Sequence, residues 1–374
     1  MSTRLTRREL GITAAAAATL AKAQYKSEVA VPEHALDPVQ WTLQNYESAP
    51  LRLTFRATNR ADAEIWQQQL RSKLTDLLGG FPSRIPLNAQ TLEVRKFPTY
   101  SREKLVFQSQ PGVSVLAYLL TPTTKPAPHA TVVCVPGHGR GVDDIVGIDE
   151  HGNDRTVKQG YAYDFAIQAV EHGLAAVAIE PMGFGYRRDP LTIRKVCPTA
   201  SACQPAAGSA LLLGQTMVGW RVWDVMRTID WIQTRPELDA TRVGCMGISG
   251  GGTCTQFSSA LDTRIKAAFV SGYLNTFRDS IMSLSHCIDN YVPGILNWAE
   301  NYDVASLIAP RYFFSEGGDR DPIFPVHATR LAFAKVKNAY EVFGVPDRAQ
   351  QQIFPGQHVF HGEQGLPFLA SALA

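Results

Sequence analysis

The sequence predicts an α/β fold with a mostly parallel central sheet and helices on both faces. Three observations carry that prediction. Short, wholly apolar runs alternate with helical stretches, as a parallel sheet buried on both sides requires. A Gly-x-Ser-x-Gly pattern, Gly247-Ile248-Ser249-Gly250-Gly251, stands between one such run and a helix-competent stretch. Acidic residues and histidines then follow at the ends of later runs, in the chain order Ser, Asp, His.

The runs, in order, are Ala130 to Val135, Ala175 to Ile179, Arg242 to Met246, Ala267 to Val270, Tyr312 to Ser315 and Gln351 to Phe354. Ahead of them, Glu93 to Gln108 and Val113 to Thr121 read as two strands of an opening hairpin, joined by the turn residues Gln110-Pro111-Gly112. Between the second and third apolar runs, Val218, Val222, Val225, Ile229 and Ile232 recur at steps of four and three and mark a helix that packs on the sheet. Arg221, Asp224 and Arg227 fall elsewhere around that helix and read as a solvated charged face. Residues 24–90 read as a helical N-terminal extension, with Ala61 to Leu78 its clearest helix and Gly79-Gly80-Phe81-Pro82 its stop. The catalytic domain then spans residues 91–374.

Residues 1–23 have the features of an export leader. Arg7-Arg8 supplies a paired-arginine start, the apolar run Ile12 to Ala21 is far too short to span a bilayer, and Ala21-Lys22-Ala23 is a small-x-small cleavage site. The paired arginines resemble the twin-arginine signal of folded bacterial exports, which implies a periplasmic or secreted chain; an ordinary N-terminal helix is the competing reading. With 36 basic against 34 acidic residues, no strong field asks for nucleic acid or an anionic membrane as partner. Among the six cysteines, Cys134, Cys245 and Cys254 lie in or beside apolar elements and read as small buried hydrophobes. Cys197 and Cys203 lie in a Pro-, Ala- and Ser-rich loop where a disulfide is open in an exported chain, with Cys287 an alternative partner. No Cys/His spacing matches a zinc site, and no cofactor is expected.

The chemistry is carried by three positions. Ser249 follows a strand and precedes a helix, the context in which a sharp turn flanked by glycines exposes a nucleophilic serine. A serine hydroxyl needs a base, and His358 lies just past the last apolar run, with His361 the competitor. The acid that orients the histidine belongs at the end of the run before last. There Asp321, held extended by Pro322, is preferred to Asp319, and Arg320 reads as a surface charge. Two backbone amides must receive the developing oxyanion: that of Gly250, and one from Pro136-Gly137-His138-Gly139-Arg140-Gly141, where His138 is the candidate. The same loop lacks the lysine and hydroxyl of a phosphate-binding loop. Met182 to Ser209 is a long connection without clear periodicity, and long loops near an active edge are often functional; the aromatics of Ser280 to Tyr302 fit either the lining of an acyl or sugar pocket or plain core packing.

These motifs, with Glu180-Pro181-Met182-Gly183-Phe184-Gly185, Ala309-Pro310-Arg311 and Gly318 to Pro325, resemble the α/β-hydrolases, in the branch of acetyl xylan esterases and dienelactone hydrolases. The resemblance covers roughly Glu93 to the C terminus. It implies the α/β-hydrolase fold, a Ser249, Asp321 and His358 triad, and hydrolysis of a short-acyl or carbohydrate ester. In that branch the aspartate of a G-x-x-D-P-x-x-P loop is the triad acid, and here that residue is Asp321. Ser249 stands where true dienelactone hydrolases carry cysteine, which turns the expectation away from lactone opening. A prolyl-oligopeptidase-like peptidase and a non-catalytic binding protein on the same scaffold are the rival readings; no propeller-like repeat precedes the catalytic region, which disfavours the first.

Overall fold

The computed structural model describes residues 37–189 and 202–374. The expected leader at residues 1–23 and Cys197 lie outside them. Contacts divide the chain into Met1–Asn45 and Tyr46–Ala374. Helix α1, Pro38–Glu47, begins in the first unit and buries no residue.

In the second unit, helix α2 (Arg60–Leu77) starts where the Asn59 side chain accepts from the Asp62 amide at 3.0 Å, satisfying one of the unpaired amides of a first turn. Its buried face, Ala63, Trp66, Leu70 and Leu74, joins the largest apolar cluster. Nine strands form one sheet: β1 (Gln90–Lys96), β2 (Tyr100–Gln110), β3 (Val113–Pro122), β4 (His129–Val135), β5 (Ala175–Ile179), β6 (Leu238–Ile248), β7 (Ile265–Ser271), β8 (Tyr312–Gly318) and β9 (Ala349–Phe354). Their spatial order is β1-β2-β3-β5-β4-β6-β7-β8-β9. The first three strands are antiparallel and β3 meets β5 antiparallel; every later pairing is parallel. Each expected apolar run lies within a strand. The expected single strand Glu93 to Gln108 is instead divided into β1 and β2, which fold back on each other with Lys96 opposite Ser101. Pro98, between them, has no amide to give to a ladder, so the strand breaks there.

Side chains alternate across the sheet. Val132 and Cys134 of β4 face the helices α3 (Phe165–Glu171) and α9 (Gly365–Ala372), while Val133 and Val135 face α5 (Met217–Ile232). The remaining helices are α4 (Gln204–Leu212), α6 (Gly250–Leu261), α7 (Asn301–Ser306) and α8 (Val326–Val342). All five apolar positions expected to anchor α5 are buried. The charged face of α5, however, is not solvated: Arg221, Asp224 and Arg227 are only 3%, 2% and 3% exposed. Irregular segments cover that face and supply partners, with Asp289 2.5 Å from Arg221 and Arg187 2.6 Å from Asp224. Helical periodicity cannot register such cover, because it comes from residues distant in sequence. Among the described residues no helix is long and apolar enough to cross a membrane.

Candidate active site

The C-terminal ends of β4, β6, β8 and β9 lie at one edge of the parallel sheet, the edge at which open α/β sheets bind ligands. At the end of β6 the chain turns into α6 in a single residue, Ser249, whose φ of 58° and ψ of −121° no β-strand or helix shares. Such a conformation costs roughly 1–3 kcal/mol and persists only where its surroundings enforce it. Close packing supplies that constraint: a Cβ on Gly251 would lie 2.0 Å from the Val135 carbonyl oxygen, and one on Gly247 2.5 Å from the Gly251 carbonyl oxygen. Only glycine lets β4, β6 and α6 approach this closely.

Beyond β8 and β9, His358 and Asp321 meet. His358 Nδ1 is 2.7 Å from Asp321 Oδ2, while Asp321 Oδ1 accepts from the amides of Ile323 and Phe324 at 2.8 and 3.1 Å. The carboxylate is therefore fixed by its own loop before it touches the histidine. His358 Nε2 is buried and has no hydrogen-bond partner among the described residues. The two competing residues are engaged elsewhere. Asp319 is exposed and accepts from the Gly356 amide at 2.9 Å, and His361 stacks on Phe354 and lies 2.8 Å from Glu363. Arg320 is exposed, as its place in the loop suggests.

The loop after β4 brings His138 to Gly250. A Cβ on Gly250 would lie 3.1 Å from the His138 ring, and one on Gly137 3.0 Å from Ser249 Cβ. The Tyr161 hydroxyl donates to the His138 carbonyl at 2.7 Å and so fixes that peptide plane. The Tyr161 ring also stacks beside His358 at 6.0 Å, which ties the two sides of the site together. Gly250 opens α6, where first-turn amides have no intrahelical acceptor.

The wall behind His138 is polar and buried. His138 Nε2 lies 3.2 Å from Asp289 Oδ2, Cys203 Sγ donates to the same oxygen at 3.3 Å, and Arg221 Nη1 donates to it at 2.5 Å. Arg221 also donates to the Met182 carbonyl at 2.6 Å and faces the Phe184 ring at 4.3 Å. Burial opposes a charge on His138, but the Asp289 carboxylate outweighs it and raises the imidazole to about 9. Burial alone would raise Asp289; Arg221 and then His138 hold it well below the usual carboxylate range. Cys287 is drawn down to about 6, first by its hydrogen bond with Cys203 and, against burial, by His138. Cys203 and Cys287 are both free thiols. The four ligand atoms of His138, Cys203, Cys287 and Asp289 all lie within 4.8 Å of one another.

Ser249, Gly250, His138, Tyr161 and His358 line one cavity of about 550 Å³, closed by Pro322 to Phe324 and by Leu284 to Cys287 with Asn290. The segment Ser280 to Tyr302 thus divides its residues: His286, Cys287 and Asn290 face the cavity, while the half-buried Trp298 packs against the core. Tyr161, Arg221 and Asp289 carry no sequence signal for the site. None lies in a motif, and only a contact partner at long range gives any of them a role.

The chain matches the Abhydrolase family model over residues 42–359. It is 25% identical over 286 residues to YtaP of Bacillus subtilis (strain 168), a hydrolase by name, covering 74% of this chain and 89% of that one. A Bacteroides fragilis protein named as an acetyl xylan esterase superposes with a TM-score of 0.73 at 20% identity, covering 87% of this chain and 84% of that one. A glucuronoyl esterase from Solibacter usitatus superposes at 0.63 and 16% identity, over 87% and 97% of the two chains. An acetyl xylan esterase from Paenibacillus sp. R4 gives 0.54 and 20%, over 89% and 99%. The sheet order, the turn between β6 and α6, and a family match spanning most of the chain agree: this protein has the α/β-hydrolase fold and belongs to the Abhydrolase family.

Proposed function

We propose that the chain is a serine-dependent carboxylic ester hydrolase acting on short-acyl esters, with carbohydrate esters as the substrate class. The observation that carries this reading is the His358–Asp321 pair at 2.7 Å on the cavity that Ser249 also lines. In this mechanism Ser249 Oγ attacks the ester carbonyl carbon and its proton passes to His358 Nε2. Asp321 holds the ring so that Nδ1 keeps its proton and Nε2 can accept one. The carbonyl oxygen, now an anion, is received by the amides of His138 and Gly250. Collapse returns the His358 proton to the departing alcohol and leaves an acyl-Ser249. A water then gives its proton to His358 and attacks the acyl carbon, releasing the carboxylic acid and restoring the serine.

Several features support the substrate class. A cavity of about 550 Å³ suits a small molecule or one sugar unit. Its lining joins apolar Leu284, Ile323 and Phe324 to polar His286 and Asn290, which fits an acyl group on a hydroxylated carrier. Structural relatives carry the names of carbohydrate esterases. We further propose that residues 1–23 are removed on export, so that the enzyme meets extracellular polymers. The test is hydrolysis of a series of nitrophenyl esters from acetyl to octanoyl, beside acetylated xylo-oligosaccharides. Acetyl esters are expected to turn over fastest, with no turnover in Ser249→Ala; hydrolysis that survives Ser249→Ala would overturn the reading.

A further inference from the structure

The geometry points to a structural site for one divalent transition-metal ion, zinc by preference, held by His138, Cys203, Cys287 and Asp289. These four come from three segments far apart in sequence, and their ligand atoms converge within 4.8 Å. In a tetrahedral zinc site the bond lengths place such ligand atoms roughly 3.3–3.8 Å apart. The separations here fall inside that range or within 0.1 Å of its ends: 3.2 Å from His138 Nε2 to Asp289 Oδ2, 3.3 Å from Cys203 Sγ to Asp289 Oδ2, and 3.9 Å from Cys203 Sγ to His138 Nε2.

The Cys203 thiol and the His138 ring both face the same oxygen of Asp289, which makes that oxygen the shared corner of the cluster. Arg221 makes the second coordination sphere. It donates to Asp289 at 2.5 Å and to Cys203 Sγ at 3.4 Å, as outer-sphere donors do to carboxylate and thiolate ligands. The charges then close: two thiolates and one carboxylate carry three negative charges, balanced by two on the ion and one on Arg221. Two thiol protons leave as the ion binds, and the imidazole coordinates as the neutral ring. All four positions are filled by protein, which makes the site structural rather than catalytic. Its effect is to fasten the His138 loop to the Cys203 and Cys287 segments, and so to the wall of the cavity that Ser249 lines.

The full chain, reduced and stripped with a strong chelator, is titrated with cobalt(II) and then zinc. One cobalt per chain is expected, with the visible absorption of a tetrahedral ion and a thiolate-to-cobalt charge-transfer band, both abolished by one equivalent of zinc. Cys203→Ser and Cys287→Ser should each weaken that band by about half, whereas Cys134→Ala should leave it intact. Bound zinc should also shield Cys203 and Cys287 of the wild-type chain from iodoacetamide, read by peptide mass, which requires no variant to fold. A folded, reduced chain without the charge-transfer band, a band indifferent to both serine variants, or thiols alkylated equally with and without zinc would each overturn the site. So would a Cys203–Cys287 disulfide that persists in the zinc-treated chain. None of these readouts depends on ester turnover.

Discussion

Two histidine–aspartate pairs flank Ser249, and they differ in what surrounds the acid. His358 meets Asp321 at 2.7 Å, and the remaining contacts of that carboxylate are amides of its own loop. His138 meets Asp289 at 3.2 Å, but Asp289 is shared with Arg221 and Cys203 and is wholly buried. The first arrangement leaves the His358 Nε2 without a partner among the described residues, on the cavity that Ser249 lines, as a proton acceptor requires. The second commits its imidazole to a buried ionic cluster, raised to about 9, where it positions a loop. Under the proposed mechanism, identical side-chain types serve movement of a proton on one side of the cavity and fixation on the other.

Breaking the first pair should have the largest effect. Asp321→Ala is expected to lower turnover roughly 10⁴-fold, the cost of losing the orienting acid of a serine triad, with little change in thermal midpoint. Steady-state kinetics on an acetyl ester beside Asp319→Ala decide the matter: the latter should stay near wild type, because Asp319 faces solvent and holds only the Gly356 amide. Breaking the second pair should be felt as stability. Asp289→Ala leaves the Arg221 guanidinium buried without its counter-charge, and denaturant unfolding of the reduced, metal-free chain should show a loss of about 3–5 kcal/mol.

A pH series sharpens the contrast. Glu180, at the end of β5 on the His138 side, accepts from the amides of Val142 and Tyr186 at 3.1 and 3.2 Å. Burial pushes it up to about 8 in spite of those amides. A carboxyl raised on folding contributes stability below its ordinary value of 4.5 and loses it as pH rises through about 8. Denaturation midpoints should fall across that window in the wild type and fall less in Glu180→Gln. A small effect is expected for His361→Ala. Its ring is spent on Phe354 and Glu363, so turnover should change by about tenfold or less.

The first pair could be read in the sequence, and the second could not. Ser249, Asp321 and His358 each follow an apolar run, so the strand ends that place them are visible as hydrophobicity, and the flanking Gly247 and Gly251 report close packing. Asp289, Arg221 and Cys203 lie in a 3-10 turn, on a helix face and beside a helix start, with no period or spacing that joins them. Periodicity turns Arg221 to solvent because it counts only residues of its own helix; the partner Asp289 is 68 residues away. For the same reason a search for zinc-like spacing finds nothing, since His138 and Cys203 are 65 residues apart. At Phe97 to Thr99 the apolar pattern runs on through a proline, and the strand it suggests is broken there into β1 and β2.

The most direct measurement is labelling of the purified chain with a fluorophosphonate, followed by intact mass and by peptide mapping, beside Ser249→Ala. One adduct per chain on Ser249, absent from the variant and greatly slowed in His358→Ala, is the expected result. A folded wild-type chain that takes no label, or that carries it on another residue, would contradict an activated serine at the end of β6.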